Sequence, residues 1–171
     1  FQALIEQTPW QQPELFIHGR YHRTPRLTAW YGEPEARYRY SGKLHEPLPW
    51  TPLLDEIRQR VAKEVGQPLN AVLLNYYRDG NDSMGWHSDD EAELGPRPVI
   101  ASLSLGATRR FVLKARRPDA AGDVARHVIE LPHGSLLVMR GDTQADYRHA
   151  LPKTAQSVGP RINLTFRRIL R

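Results

Sequence analysis

The chain has 171 residues, 40% hydrophobic and 25% charged, with 24 Lys and Arg against 19 Asp and Glu and no cysteine, for a formal net charge of +5. This size and balance predict one soluble globular domain able to bury most of its unfolded surface. They exclude a disulfide framework, a thiol nucleophile and a thiolate metal site, and no apolar run approaches the roughly 18 residues of a membrane helix.

Residues 14–40 read as short strands broken by turns: Leu15-Phe16-Ile17, Leu27-Thr28-Ala29-Trp30 and Tyr38-Arg39-Tyr40. The cations Arg20, His22, Arg23 and Arg26 lie among the aromatics Tyr21, Trp30, Tyr31, Tyr38 and Tyr40. That interleaving suits single-stranded nucleic acid, and equally a solvated face with a few core aromatics. Pro47-Leu48-Pro49-Trp50 reads as a linker. Thr51 then offers an N-cap and Pro52 a first helical position, and Leu53, Leu54, Ile57, Val61 and Val65 recur at helical spacing until Gly66. After this helix the pattern is β: 71–77, 84–88, 99–105, 110–114, 124–131, 135–140, 147–151 and 162–169, punctuated by Gly, Pro and Asp. A second basic cluster comprises Arg109, Arg110, Lys114, Arg116 and Arg117. Many short strands after one helix predict a mainly β (α+β) fold, a jelly roll or barrel-like sandwich with one long outer helix. A parallel α/β fold would need helices between the strands, and the phosphate-binding glycine motifs are missing.

Two segments carry chemistry. Trp86-His87-Ser88-Asp89 places an imidazole and a carboxylate two residues apart, on one face of an ideal strand. With the distant His149 they form two His and one carboxylate, the ligand set of non-haem Fe(II) oxygenases; alone, His-x-Asp is more often a surface polar couple. Arg161-Ile162-Asn163-Leu164-Thr165-Phe166-Arg167 alternates strictly, with Arg161, Asn163, Thr165 and Arg167 on one face. That face meets water if the strand lies at an edge, or lines a barrel that holds a charged ligand. In the second case the arginine forks suit a small dicarboxylate.

Taken together, these segments resemble the AlkB family of Fe(II)/2-oxoglutarate-dependent nucleic-acid demethylases, of the alkylation-repair homologue 2 and 3 type. The matching stretches are Pro25-Arg26-Leu27-Thr28-Ala29-Trp30-Tyr31-Gly32, Trp86-His87-Ser88-Asp89-Asp90-Glu91, Ala101-Ser102-Leu103-Ser104-Leu105-Gly106-Ala107-Thr108-Arg109 and Gln144-Ala145-Asp146, with His149 and Arg161–Arg167 completing the set. The resemblance implies a double-stranded β-helix core, with residues 1–50 of a single 1–171 domain contributing a β-rich nucleotide-recognition lid. It implies His87, Asp89 and His149 as the iron ligands and catalytic centre. Asn75, Tyr77, Arg161, Asn163, Thr165 and Arg167 would hold 2-oxoglutarate, with O₂ as the other cosubstrate. Tyr38, Arg39, Tyr40 and Asp90 would meet the substrate base, and Trp10, Arg26 and Arg110 are further substrate candidates. His18 stands where the homologue 2 type has a bulky apolar residue that fills the gap left by a flipped base, which fits single strands.

The expected activity is oxidative demethylation of 1-methyladenine and 3-methylcytosine in DNA or RNA by an intracellular monomer without membrane contact. The alternative is a 2-oxoglutarate-dependent hydroxylase or demethylase of a protein or small molecule.

Overall fold

The structure is a computed structural model that describes residues 1–17, 19–40 and 43–170, without the side chains of residues 15, 17, 38–40 and 43–45. In chain order the elements are α1 (Gln2–Gln7), β1 (Glu14–Ile17), β2 (Arg20–Arg23), β3 (Leu27–Gly32), β4 (Tyr38–Tyr40), β5 (Lys43–His45), α2 (Pro52–Val65), β6 (Ala71–Tyr77) and β7 (Met84–His87). There follow β8 (Ile100–Gly106), β9 (Arg109–Ala115), β10 (Arg126–Leu131), β11 (Leu136–Met139), α3 (Thr143–Asp146), β12 (Tyr147–Leu151) and β13 (Arg161–Arg167). A five-stranded sheet has the order β11-β8-β13-β6-β3, and a four-stranded sheet the order β10-β9-β12-β7. Their ladders are antiparallel throughout. This two-sheet arrangement agrees with the expected jelly-roll core. β1–β2 and β4–β5 form two separate small hairpins.

The long helix forms for the reasons its sequence offers. The Thr51 hydroxyl accepts a hydrogen bond from the Leu54 N–H at 3.2 Å, Pro52 takes the first position, and Gly66 closes the helix at φ 73°. Its Leu54, Val61 and Val65 bury against Val72 and Leu74 of β6 and Ile162, Leu164 and Phe166 of β13. Each such side chain contributes about 1.5–3 kcal/mol on burial. The apolar face of β13 is therefore spent on α2, and its polar face is left to point between the sheets. There it borders a second core that includes Trp30, Ile100, Phe111, Leu131 and Met139.

The structure decides between alternatives that the sequence left open. β13 is an interior strand, pairing with β6 on one side and β8 on the other, and every residue in it is buried. Trp30 and Tyr31 do not interleave with cations at the surface; both are buried, and the Trp30 indole donates to the Ala36 carbonyl at 3.1 Å. Arg109 is not part of an exposed basic cluster. Its guanidinium is buried and donates to the carbonyls of Asp79, Asp82 and Pro152 at 2.9, 2.9 and 2.7 Å, which ties the β6–β7 turn to the end of β12. Helices α1 and α3 and strands β2 and β5 carry no clear periodic pattern in the sequence. β2, for one, is exposed at every residue, so no alternation marks it.

Candidate metal centre and cavity

Strand pairing brings the two histidines together. β12 pairs with β7 so that His149 is directly opposite His87, and their ring centroids are 4.2 Å apart. Asp89 arrives differently from the expected strand geometry, because β7 ends at His87. Beyond the ladder, other groups hold it. Its N–H donates to the Gln144 side-chain oxygen at 2.9 Å, and its Oδ1 accepts from Arg167. One ligand atom from each of His87, Asp89 and His149 lies within 4.8 Å of the others.

The surrounding groups set the chemical state of these three. His87 Nδ1 is 2.9 Å from the Gly85 carbonyl. Only an N–H can serve that contact, so the lone pair is left on Nε2, as metal binding needs. Phe111 stacks on His149 at 5.2 Å. Burial alone would push the Asp89 carboxyl up, but Arg167, His87 and His149 together hold it below the ordinary carboxylate value. Burial takes His149 down to about 4, with His87 adding to the effect and Asp89 opposing it. At neutral pH the centre therefore offers one carboxylate and a neutral His149 imidazole, the states a metal ligand must adopt.

From this centre a cavity runs along the polar face of β13, reaching Asn75, Tyr77 and Arg161. The register explains the gathering: Asn163 is opposite Asn75, and Arg161 is opposite Tyr77. Asn163 donates to Ser102 Oγ at 2.7 Å and accepts from Thr165 Oγ1 at 3.0 Å, so these polar groups satisfy one another within the wall. Arg161 is only 1% exposed. Its Nη2 donates to Ser104 Oγ at 2.9 Å and its guanidinium lies 5.3 Å from the Tyr77 ring centroid, while Nε and Nη1 have no hydrogen-bond partner. Burial lowers its pKa, and Tyr77 opposes that shift. A buried cation with orphaned donors is costly unless an anion completes it. A dicarboxylate with one end at the metal and the other at Arg161 fits this donor set.

A second cavity shares His87, Asp89 and Arg167 with the first and is walled by Thr28, Trp30 and Glu91. Of the expected substrate residues, Arg26 lines this second cavity, where it is buried and donates to Asn75 Oδ1 at 2.9 Å. Trp10 packs on Tyr76 at 5.2 Å and donates to the Ile5 carbonyl, a core role. Arg110 faces the outside of the four-stranded sheet, opposite Glu130. Asp90 is exposed and pairs with Arg116 at 2.6 Å. The side chains of Tyr38, Arg39 and Tyr40, and all of His18, lie outside the described residues. Sequence reasoning missed Gln144, Ser102 and Ser104 as site groups. All three fall in stretches that carry the family resemblance, but nothing in residue type or spacing marks their roles.

Comparison with known proteins bears on this geometry. A family model for the 2OG-Fe(II) oxygenase superfamily matches residues 1–167. The chain is 45% identical over 173 residues to alpha-ketoglutarate-dependent dioxygenase alkB homolog 3 of Homo sapiens, covering 98% of this chain and 60% of that protein. It is 43% identical over 159 residues to DNA oxidative demethylase ALKBH2 of Mus musculus, covering 90% of this chain and 66% of that protein. The chain thus spans less than two thirds of the length of these relatives. The solved structure of OsALKBH1 shares the fold, with a TM-score of 0.59 over 92% of this chain and 81% of that one, at 16% identity.

Proposed function

Because the chain belongs to the 2OG-Fe(II) oxygenase superfamily, we propose that it is an Fe(II)/2-oxoglutarate-dependent dioxygenase that oxidatively demethylates N-alkylated bases, 1-methyladenine and 3-methylcytosine, in DNA or RNA. The observation that carries this reading is one continuous cavity with a His87–Asp89–His149 set at one end and the buried, incompletely partnered Arg161 at the other. The similarity to alkB homolog 3 and ALKBH2 supports the nucleic-acid substrate.

His87, Asp89 and His149 would hold the iron. Bound Fe(II), with 2-oxoglutarate and O₂, supplies the oxidising power to hydroxylate an N-methyl group, and 2-oxoglutarate is converted to succinate and CO₂. The hydroxymethylated base then loses formaldehyde and is restored. Arg161 would pair with the distal carboxylate of the cosubstrate, and Arg167 balances the charge of Asp89 from the same strand face. Asn75, Tyr77, Asn163 and Thr165 line the wall between them. Asp90 follows the proposed ligand Asp89 directly, and on exchanging its Arg116 partner for the base its carboxylate would favour the cationic 1-methyladenine and 3-methylcytosine over neutral bases. Tyr38, Arg39 and Tyr40 would grip the base after it leaves its stack.

We read residues 1–50 as the recognition lid through their two hairpins, with β3 doubling as an edge strand of the core sheet. A monomer acting on single strands, inside the cell and away from membranes, completes the proposal. No helix among the described residues is long and apolar enough to cross a membrane.

The test is formaldehyde release by the Fe(II)- and 2-oxoglutarate-loaded protein from matched single-stranded DNA, duplex DNA and RNA, each carrying one methylated base. Release from the single strand, abolished by His87→Ala, is the expected result. Succinate formation with no release from any of the three would overturn it in favour of a protein or small-molecule substrate.

A further inference from the structure

The outer face of the four-stranded sheet carries an arrangement that folding alone does not explain. On β12 and β9, His149 and Phe111 point inward to the metal centre. Alternation along each strand turns Arg148 and Lys114 to the opposite, solvent face. In the ladders, Arg148 is directly opposite Lys114, and Lys114 is directly opposite Arg126 of β10. Three exposed cations thus stand in one row across three adjacent strands. Neighbours in such a row are about 5 Å apart, and like charges in that position destabilise a sheet. Among the described residues none of the three has an ion-pair partner. The acid on the same face of β10, Glu130, is opposite Arg110 instead.

The row also leads toward the metal-centre segment. Just past the end of β9, Arg116 donates to Ser88 Oγ at 2.8 Å and to Asp90 at 2.6 Å, the residues on either side of Asp89 in the chain. A linear, regularly charged polyanion that passes Asp90 and rounds the sheet edge would meet Arg148, Lys114 and Arg126 in turn.

We propose that the Arg148–Lys114–Arg126 row is a phosphate track. It would hold the backbone of the nucleic-acid strand flanking the target nucleotide, on the face of the sheet opposite the metal. The proposal rests on the nucleic-acid reading of the site and adds to it a second contact region, which acts on strand length rather than on the base. Its energetic source is counterion release, which is independent of sequence.

The experiment compares the metal-loaded protein with a variant carrying Lys114→Gln, Arg126→Gln and Arg148→Gln. The ligands are an unmethylated single strand of about 20 nucleotides, longer than typical site sizes of roughly 4–16, and a methylated trinucleotide. For the long strand, the slope of log K against log salt becomes shallower by about 2, since each lost phosphate contact removes about 0.7. For the trinucleotide, turnover stays within about twofold, because so short a strand releases no counterions at the row. An unchanged slope for the long strand overturns the proposal, as does an equal loss on both ligands. A row that captures polyglutamate while leaving the oligonucleotide slope unchanged also overturns it. Arg126→Glu separates docking from folding: it sets a carboxylate opposite Lys114, so the melting temperature holds or rises while long-strand binding falls. If wild-type protein binds the long strand yet releases no formaldehyde, the demethylase reading fails and the track stands.

Discussion

Arg161 and Arg167 stand on the same face of β13, both buried, at opposite ends of one cavity. At the metal end the chain supplies the counter-charge, since Arg167 meets the Asp89 carboxylate. At the far end Arg161 has Ser104 and the Tyr77 ring, with two donor nitrogens left over. The metal end is balanced by a carboxylate of the protein itself, whereas among the described residues no carboxylate pairs with Arg161.

Breaking the balanced end has the largest effect. Asp89→Asn removes a metal ligand and leaves Arg167 buried beside a neutral amide. Metal binding and turnover fall below detection, and the metal-free protein loses about 3–5 kcal/mol in urea unfolding. The far end answers in the opposite sense. Arg161→Met raises the 2-oxoglutarate concentration for half-saturation by about a hundredfold or more, from the roughly 2–5 kcal/mol that one lost partner of a buried charge pair costs. Its metal-free stability holds or rises, because an incompletely partnered buried cation has gone. Destabilisation of both variants in the metal-free state would erase the distinction between the two ends.

Smaller effects sharpen the comparison. Gln144→Ala frees the backbone of Asp89. It weakens metal binding by about tenfold, the lower end of what losing a supporting hydrogen bond costs, and calorimetric titration of the metal reads this directly. A control lies outside the cavity, where Asp82 accepts hydrogen bonds from the Arg78 side chain and backbone. Burial would raise the Asp82 carboxyl, but Arg78 and Arg109 bring it below its ordinary value. A carboxyl lowered in the folded state stabilises above its unfolded pKa of about 3.9, and that stability is lost as pH falls through the folded value. Asp82→Asn should cost only about 1 kcal/mol at neutral pH, since Arg78 is 44% exposed and screened. The difference should shrink as pH falls below about 3.9 toward the lowered folded value, as paired unfolding curves at neutral and acid pH would show, with no change in metal or 2-oxoglutarate binding.

The strands carrying the site were largely legible. The sequence predicts strands over 71–77 and 147–151, and β6 and β12 have those bounds. The alternation of 161–167 showed which residues share a face, but could not show whether that face meets water or a cavity. That choice depends on β6 and β8 pairing on either side, and these contacts are distant in sequence. Asp89 was identified by residue type, yet its position past the end of β7 is set by Gln144 and Arg167, 55 and 78 residues away. The fold gives the further substrate candidates packing partners that their spacing does not reveal: Arg26 braces Asn75 while lining the second cavity, Trp10 packs on Tyr76 and Arg110 faces Glu130.

The most direct measurement is an anaerobic titration of Fe(II)-loaded protein with 2-oxoglutarate, followed by the weak visible charge-transfer band that the chelated cosubstrate gives. In wild type the band should saturate as one site. In Arg161→Met the same band should form with unchanged iron loading, but only at about a hundredfold higher 2-oxoglutarate. Superimposable titrations of the two proteins would contradict the account, because the buried cation at the far end would then have no part in holding the cosubstrate.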